Sequence, residues 1–380
     1  MIAGGGTGGH VYPGITIAQA IRECKPKAEI LFVGTREGLE ADVVPREGFA
    51  LETIPLAGMP RRLSPGVVRA IWLAGKGFFA ALRLVRRFRP NLVVGTGGYV
   101  CGPVVLAGAL LGIPSAIQEQ NAFPGVTNRL LGRLVRRIFL GYEEAVPHFP
   151  REKVMVTGNP IRAGILSADR AEAAVRLGLD PALTTILVAG ASQGARSLNE
   201  ALLTCLPRLL LQPRLQVLHI AGKRNYEAVR EAIGHLNLSP AMAGRIVVVP
   251  YVYDMPAAYA AADLVVSRAG AISLAEMTAR GLPLILVPFP YAAADHQLFN
   301  ARALERKGAA RVIPDRELNG ERLLAEILSL LRDPAALARM RRASQACGRP
   351  EAASAIAAEL VCLAGEKSSS PRSLDKQGRR

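Results

Sequence analysis

Seven residues near the amino terminus, Gly4-Gly5-Gly6-Thr7-Gly8-Gly9-His10, combine two kinds of chemistry. Glycines at this density let an anion approach backbone N–H groups that side chains would otherwise shield. The histidine that closes the run moves protons near neutral pH. An apolar run, Met1 to Ala3, precedes the turn, and an apolar-periodic stretch, Ile15 to Ile21, follows it. Strand, glycine turn and helix in that order aim turn amides and a helix dipole at a diphosphate. The same residues fit Gly-x-Gly-x-x-Gly, the dinucleotide fingerprint. That reading wants a carboxylate at the tip of the second strand. The run Glu29 to Val33 instead ends in Gly34-Thr35-Arg36, which disfavours nicotinamide or flavin binding.

Other turns carry chemistry too. Leu92–Val94 runs into Gly95-Thr96-Gly97-Gly98-Tyr99, which reads either as a site for a second diphosphate or as close helix–strand packing. Ser115–Ile117 ends in four polar residues, Gln118-Glu119-Gln120-Asn121. The second half opens with its own glycine turn, Gly190-Ala191-Ser192-Gln193-Gly194-Ala195. Ser267-Arg268-Ala269-Gly270 precedes a helix expected over Ala271 to Arg280, whose Ala271 and Ile272 amides are free to hold phosphate. Glu276 on that helix is either a ribose ligand or a surface residue. Asp295-His296-Gln297 follows the turn Pro288-Phe289-Pro290. The sequence contains no Asp-x-Asp, so a carboxylate-held divalent metal is not expected; phosphate charge falls to amides, a helix dipole and arginines.

These turns need rigid elements behind them. Strand-like runs are Ile30–Val33, Leu92–Val94, Ser115–Ile117 and Ile138–Leu140, then Ile186–Ala189, Gln216–Ile220, Ile246–Val249, Leu264–Val266 and Leu284–Val287, alternating with helical segments. The alternation implies α/β architecture with parallel sheets and ligands at the carboxyl ends of the strands. Pro160, inside Val154 to Arg162, marks a junction between two halves of a chain of 380 residues. Leu92 to Ile117 carries no charge and exceeds a membrane span in length. Its Gly and Pro interruptions, Gly95, Gly97, Gly98, Gly102, Pro103, Gly108 and Gly112 among them, favour a buried strand, a turn and a packed helix instead.

Five scattered cysteines (Cys24, Cys101, Cys205, Cys347, Cys362) form no CxxC pair, which argues against disulfides and zinc and for a reducing compartment. A glycine turn occupies the place of a signal-peptide core. The net charge of +16 is concentrated at residues 61–90, where Arg61, Arg62, Arg69, Lys76, Arg83, Arg86, Arg87 and Arg89 interleave with Trp72, Phe78 and Phe79 and no acid. A solvated face, nucleic acid and an anionic membrane surface are the three readings; no nucleic-acid motif is present, and the membrane surface is favoured.

Taken together, residues 5–14, 97–103, 119–121, 158–162, 192–195, 267–271 and 295–297 resemble the MurG family of bacterial N-acetylglucosaminyltransferases over roughly residues 1–360. The resemblance implies a GT-B fold: two Rossmann-like, doubly wound parallel-sheet domains facing across a cleft. The implied division is residues 1–157 for an acceptor and membrane-facing domain and 158–345 for a UDP-GlcNAc domain. Residues 346–365 would form a helix returning to the first domain, and 366–380 a disordered basic tail. The implied reaction is metal-independent, cofactor-free and inverting, from UDP-GlcNAc to the 4-hydroxyl of the muramoyl sugar of lipid I, giving lipid II. Its implied place is the cytoplasmic membrane face, with other cell-wall synthesis proteins as partners and no nucleic acid. Carried over by motif, Thr7, Gly8, Gly9, Asn121, Arg162, Ser192, Val252, Ala271, Ile272, Ser273, Leu274, Ala275, Glu276 and Gln297 contact the donor. Gly6, Gly97, Gly98 and Tyr99 are assigned to the acceptor diphosphate, and His10, then Glu119, to the catalytic base. Two departures stand out: only Met1-Ile2-Ala3 precede the first turn, and Gln118 stands where many relatives carry His.

Overall fold

The computed structural model describes residues 1–56, 65–190 and 194–365, with side chains left out for 65–71. The expected tail, 366–380, and Ser192 lie outside the described residues, as do Arg61, Arg62 and the Arg69 side chain. Thirteen strands form two all-parallel sheets among the described residues. The first contains β1 (Ile2–Gly4), β2 (Leu31–Gly34), β3 (Ala50–Thr53), β4 (Val93–Gly97), β5 (Ser115–Glu119), β6 (Arg137–Leu140) and β7 (Val154–Val156), in the order β3-β2-β1-β4-β5-β6-β7. The second contains β8 (Thr184–Ala189), β9 (Leu215–Ile220), β10 (Ile246–Val249), β11 (Leu264–Ser267), β12 (Leu284–Leu286) and β13 (Ala310–Val312), in the order β10-β9-β8-β11-β12-β13.

Both orders reverse direction at one place, between β1 and β4 and between β8 and β11. There the crossover helices leave to opposite faces, and a crevice opens at the carboxyl ends of the strands. Each sheet is covered on both faces, which is why its strands are apolar at successive positions. Ala3, Val33, Ile117 and Ile138 pack toward the helices Pro65–Phe88 and Cys101–Leu110, while Ile2, Phe32 and Phe139 pack toward Gly8–Cys24 and Ala352–Gly365. In the second lobe Ile186, Val188 and Val266 face one core, and Leu187, Leu218 and Val265 the other. The carboxyl-terminal helix Ala352–Gly365 lies against Gly8–Cys24, and Glu359 pairs with Arg137 Nε at 2.6 Å.

The uncharged stretch Leu92 to Ile117 folds as strand β4, the helix Cys101–Leu110 and strand β5. No helix among the described residues is long and apolar enough to cross a membrane. The sequence reading passed over β3, β7 and β13. All three are short strands at sheet edges, where one row of backbone groups is unpaired and the apolar run needs to be only three or four residues long.

One buried group works against the second core. His219 on β9 is 1% exposed, and neither ring nitrogen has a hydrogen-bond partner. Burial lowers its pKa to about 4, and the neighbouring Val188 backbone offsets this only in part. The unfolded chain therefore takes up a proton near pH 6.5 that the folded protein refuses until about pH 4. Stability should fall by about 3 kcal/mol as pH drops through this window. Thermal melts of His219→Leu should show a smaller loss between pH 7 and pH 4.5 than the parent; an equal loss would place the acid sensitivity elsewhere.

Candidate active site

The loops at the two switch points face one another, and the first is built around His10. Thr7 caps the helix Gly8–Cys24 by backbone geometry alone, leaving the amides of Gly8 and Gly9 in a first turn without side-chain acceptors. His10 Nδ1 lies 3.2 Å from the Gly5 carbonyl and 3.2 Å from Thr7 Oγ1. A carbonyl only accepts, so Nδ1 carries the hydrogen and Nε2 keeps a lone pair. Burial pulls the His10 pKa below its ordinary value; the Gly5 carbonyl and the Glu119 charge oppose that, so the ring is neutral at pH 7.

Gly97 (φ +104°) and Gly98 (φ +78°) hold conformations that side-chain-bearing residues resist. Both are also packed against the first turn. A Cβ on Gly97 would sit 2.6 Å from His10 Cδ2, and one on Gly98 would strike the Gly5 carbonyl. The Tyr99 ring covers Gly6, and its hydroxyl lies 3.4 Å from Thr35 Oγ1. Packing thus accounts for Gly97, Gly98 and Tyr99. The Gly6 amide is already donated to Glu40 Oε2 at 2.9 Å. The expected placing of Gly6 at the acceptor diphosphate therefore does not rest on this amide.

Glu119 is 2% exposed and accepts four donors: Asn121 N and Nδ2 on one oxygen, Gly125 N and Asn128 Nδ2 on the other. With its lone pairs so engaged, it shapes the loop after β5, while standing second to His10 as the candidate base. Gln118 is buried and donates to Asn159 Oδ1 at 2.8 Å.

In the second lobe, Gly270 caps the helix Ala271–Ala279 without a side-chain bond, so the amides of Ala271 and Ile272 present a positive helix end to the cleft. Glu276 is 1% exposed, which overturns the surface-residue reading. Its two oxygens receive Arg162 Nε at 2.6 Å and Nη2 at 2.7 Å, and the guanidinium lies 5.5 Å from the centre of the Tyr12 ring. One bidentate arginine leaves each oxygen a further lone pair. Gln297 Oε1 accepts from Ala269 N at 3.1 Å and Phe289 N at 3.0 Å. Both partners are donors, so its amide NH₂ is the end left for a ligand. Ser273, Leu274 and Ala275 complete the helix between the capping end and Glu276, and Val252 is buried beside Tyr251 and Tyr253 at the end of β10.

The lobes meet through a residue that sequence reasoning missed. Asn300, fully buried, donates to Asn121 Oδ1 and to the Ala269 carbonyl, both at 3.2 Å, and accepts from Ala122 N at 2.8 Å. Beside it Phe123 stacks on Phe299 with ring centres 5.1 Å apart. Asn300 follows Gln297 by three residues on one helix, the spacing that puts two side chains on one face. Ala294 and Asp295 hold φ of +50° just before that helix, a strained entry for non-glycine residues. Among the described residues, no group of three His, Cys, Asp or Glu is placed to hold a metal.

The sequence model of the Glycosyltransferase family 28 N-terminal domain matches residues 1–140, and that of the Glycosyltransferase family 28 C-terminal domain matches residues 185–356. The chain belongs to glycosyltransferase family 28. Two curated family relatives are named UDP-N-acetylglucosamine--N-acetylmuramyl-(pentapeptide) pyrophosphoryl-undecaprenol N-acetylglucosamine transferase. That of Desulforudis audaxviator is 47% identical over 96% of this chain and 98% of its own. That of Moorella thermoacetica is 49% identical over 94% of this chain and 96% of its own. The crystal structure of MurG from Acinetobacter baumannii is similar, with a TM-score of 0.73 and 30% identity over 95% of this chain and 98% of that one. The GT-B arrangement of family 28 is thus the fold of this chain.

The Arg162–Glu276 pair allows a stability test. Arg162→Ala leaves a buried carboxylate without its partner, and such losses cost about 3–5 kcal/mol. Arg162→Met with Glu276→Leu should recover most of that in a thermal melt while losing UDP binding in calorimetry. Retained UDP binding by a stable double variant would mean that the pair serves only the fold.

Proposed function

We propose that this chain moves N-acetylglucosamine from UDP-N-acetylglucosamine to the 4-hydroxyl of the muramoyl sugar of undecaprenyl-diphospho-muramoylpentapeptide, giving the lipid-linked disaccharide of peptidoglycan synthesis. The observation that carries this is the identity of 47% over nearly the whole length to a transferase named for that donor and acceptor. The geometry supports it, because His10, Asn121, Glu276 and Gln297 converge on the facing ends of two sheets.

His10 takes the proton of the attacking hydroxyl at Nε2 as that oxygen bonds to the anomeric carbon from the side opposite UDP. The carbon–oxygen bond to UDP breaks and the anomeric configuration inverts. Charge growing on the leaving diphosphate meets the Ala271 and Ile272 amides and the helix dipole, with Ser192 as a further donor. The remaining lone pairs of Glu276 accept from the ribose hydroxyls, the Gln297 NH₂ donates to a sugar hydroxyl, and Val252 lines the base. Arg162 holds Glu276, and Thr7, Gly8 and Gly9 stand at the sugar between the lobes. No carboxylate-held metal is needed in this scheme.

UDP release from UDP-N-acetylglucosamine should require a lipid-linked acceptor analogue and persist in EDTA. Loss that Mg²⁺ restores would overturn the metal-free scheme, and epimerisation without acceptor would overturn the transferase reading. His10→Ala should lower kcat by about 10²–10⁴-fold with little change in donor KM. The acid limb of kcat should lie below the ordinary histidine pKa, because burial favours the neutral ring. A fall smaller than about tenfold would assign the proton to water.

The acceptor carries a polyprenyl tail, so the first lobe works at a membrane surface, on the cytoplasmic side where the donor is. The helix Pro65–Phe88 supports this: Trp72 is 58% and Phe79 67% exposed, Lys76 Nζ lies 3.5 Å over the Trp72 ring, and Arg83 and Arg86 are exposed on the same helix. Cations attract anionic headgroups in a salt-dependent way, whereas inserted rings resist salt. Binding to anionic vesicles should weaken as salt rises without vanishing, and Trp72→Ala with Phe79→Ala should remove the salt-resistant part. Unchanged binding of that double variant at high salt would place the contact elsewhere.

A further inference from the structure

Glu40 opens the helix Glu40–Arg46 and is fully buried. Among the described residues it pairs with no lysine or arginine. Three donors hold it instead: Thr35 N and Thr35 Oγ1 reach Oε1 at 2.9 Å each, and Gly6 N reaches Oε2 at 2.9 Å. An ionised carboxylate is costly to bury, so this arrangement is strongly directional. The surrounding sequence makes room for it. A Cβ on Gly5, Gly34 or Gly38 would collide with the Glu40 side chain.

The bond to Gly6 has a consequence for His10. Gly6 N–H and the Gly5 carbonyl belong to one peptide unit. Its N–H donates to Glu40, and its carbonyl receives His10 Nδ1–H. A carboxylate on the N–H end polarises the unit and makes the carbonyl a better acceptor. It also fixes the plane, and with it the ring tautomer. The groups acting electrostatically on His10 are Glu119 and Glu40, which raise its pKa, and His296, which lowers it.

We propose that Glu40 is a positioning residue for glycosyl transfer: through the Gly5–Gly6 peptide it holds His10 in the tautomer that leaves Nε2 free to accept the proton. This rests on the reading of His10 as the base. Glu40 touches neither donor nor acceptor.

The test uses the full chain with ¹³C/¹⁵N-labelled histidine, the His10 signal being identified by its loss in His10→Gln. Glu40→Gln retains one accepting oxygen and cannot satisfy both Thr35 and Gly6. It should lower kcat by about ten- to a hundredfold while donor KM stays within a few-fold. The His10 nitrogens should report a mixture of tautomers, and the His10 titration should move to lower pH. Glu40→Asp keeps the charge and loses reach, so its titration should stay near the parent's while the tautomer loosens and kcat falls. A folded Glu40→Gln with parental kcat or a parental His10 tautomer overturns the proposal. If Glu40→Gln does not fold, a parental kcat and tautomer in Glu40→Asp overturn it equally. The two readings separate cleanly. If His10→Ala retains kcat while Glu40→Gln shifts the tautomer, the base assignment fails and the coupling stands. If His10→Ala is inactive and Glu40→Gln leaves the ring unchanged, the coupling fails and the base stands.

Discussion

The bidentate pair between Arg162 and Glu276 ties the segment joining the two sheets to the helix at the mouth of the second one. Glu276 is buried on the helix whose amino end presents amides to the cleft, and Arg162 lies in the segment joining the sheets. The guanidinium also reaches the face of Tyr12 on the first helix of the chain. One planar, permanently charged group therefore touches the helix Ala271–Ala279, the linker and the first lobe together, a role that a lysine's point charge does not fill.

The same economy recurs in the first lobe, where glycine serves packing more than ligand approach. Gly5, Gly34 and Gly38 yield space to a carboxylate, and Gly97 yields space to an imidazole. A turn that looks from its composition like an open anion cradle is already partly filled by the protein's own charge. That charge takes the Gly6 amide, while the first helical turn at Gly8 and Gly9 carries no side-chain acceptor.

Much of this was legible in the sequence because it is periodic or local. Parallel strands buried on both faces read as apolar runs, and glycine turns before helices mark the strand ends that carry sites. Leu92 to Ile117 resolved into strand, helix and strand because its glycines sit where the chain must turn. The edge strands β3, β7 and β13 did not register, since three or four residues with one unpaired side make no pattern. Glu40 and Asn300 escaped for another reason. Their contacts span 34 and 179 residues, and no spacing along the chain encodes a partner brought near by the crossover of a sheet or the approach of a second lobe. The carboxylate near the tip of β2, Glu40, comes from the next helix and is spent on Thr35 and Gly6 rather than on a ligand.

Asn300 spends its single amide on both lobes at once, and the Phe123–Phe299 stack lies beside it. Separating the lobes breaks these contacts together, since a terminal amide reaching across a gap tolerates only a few tenths of an ångström before its bonds are lost. Any opening of the cleft therefore gives up the Asn300 hydrogen bonds and the aromatic stack in one step.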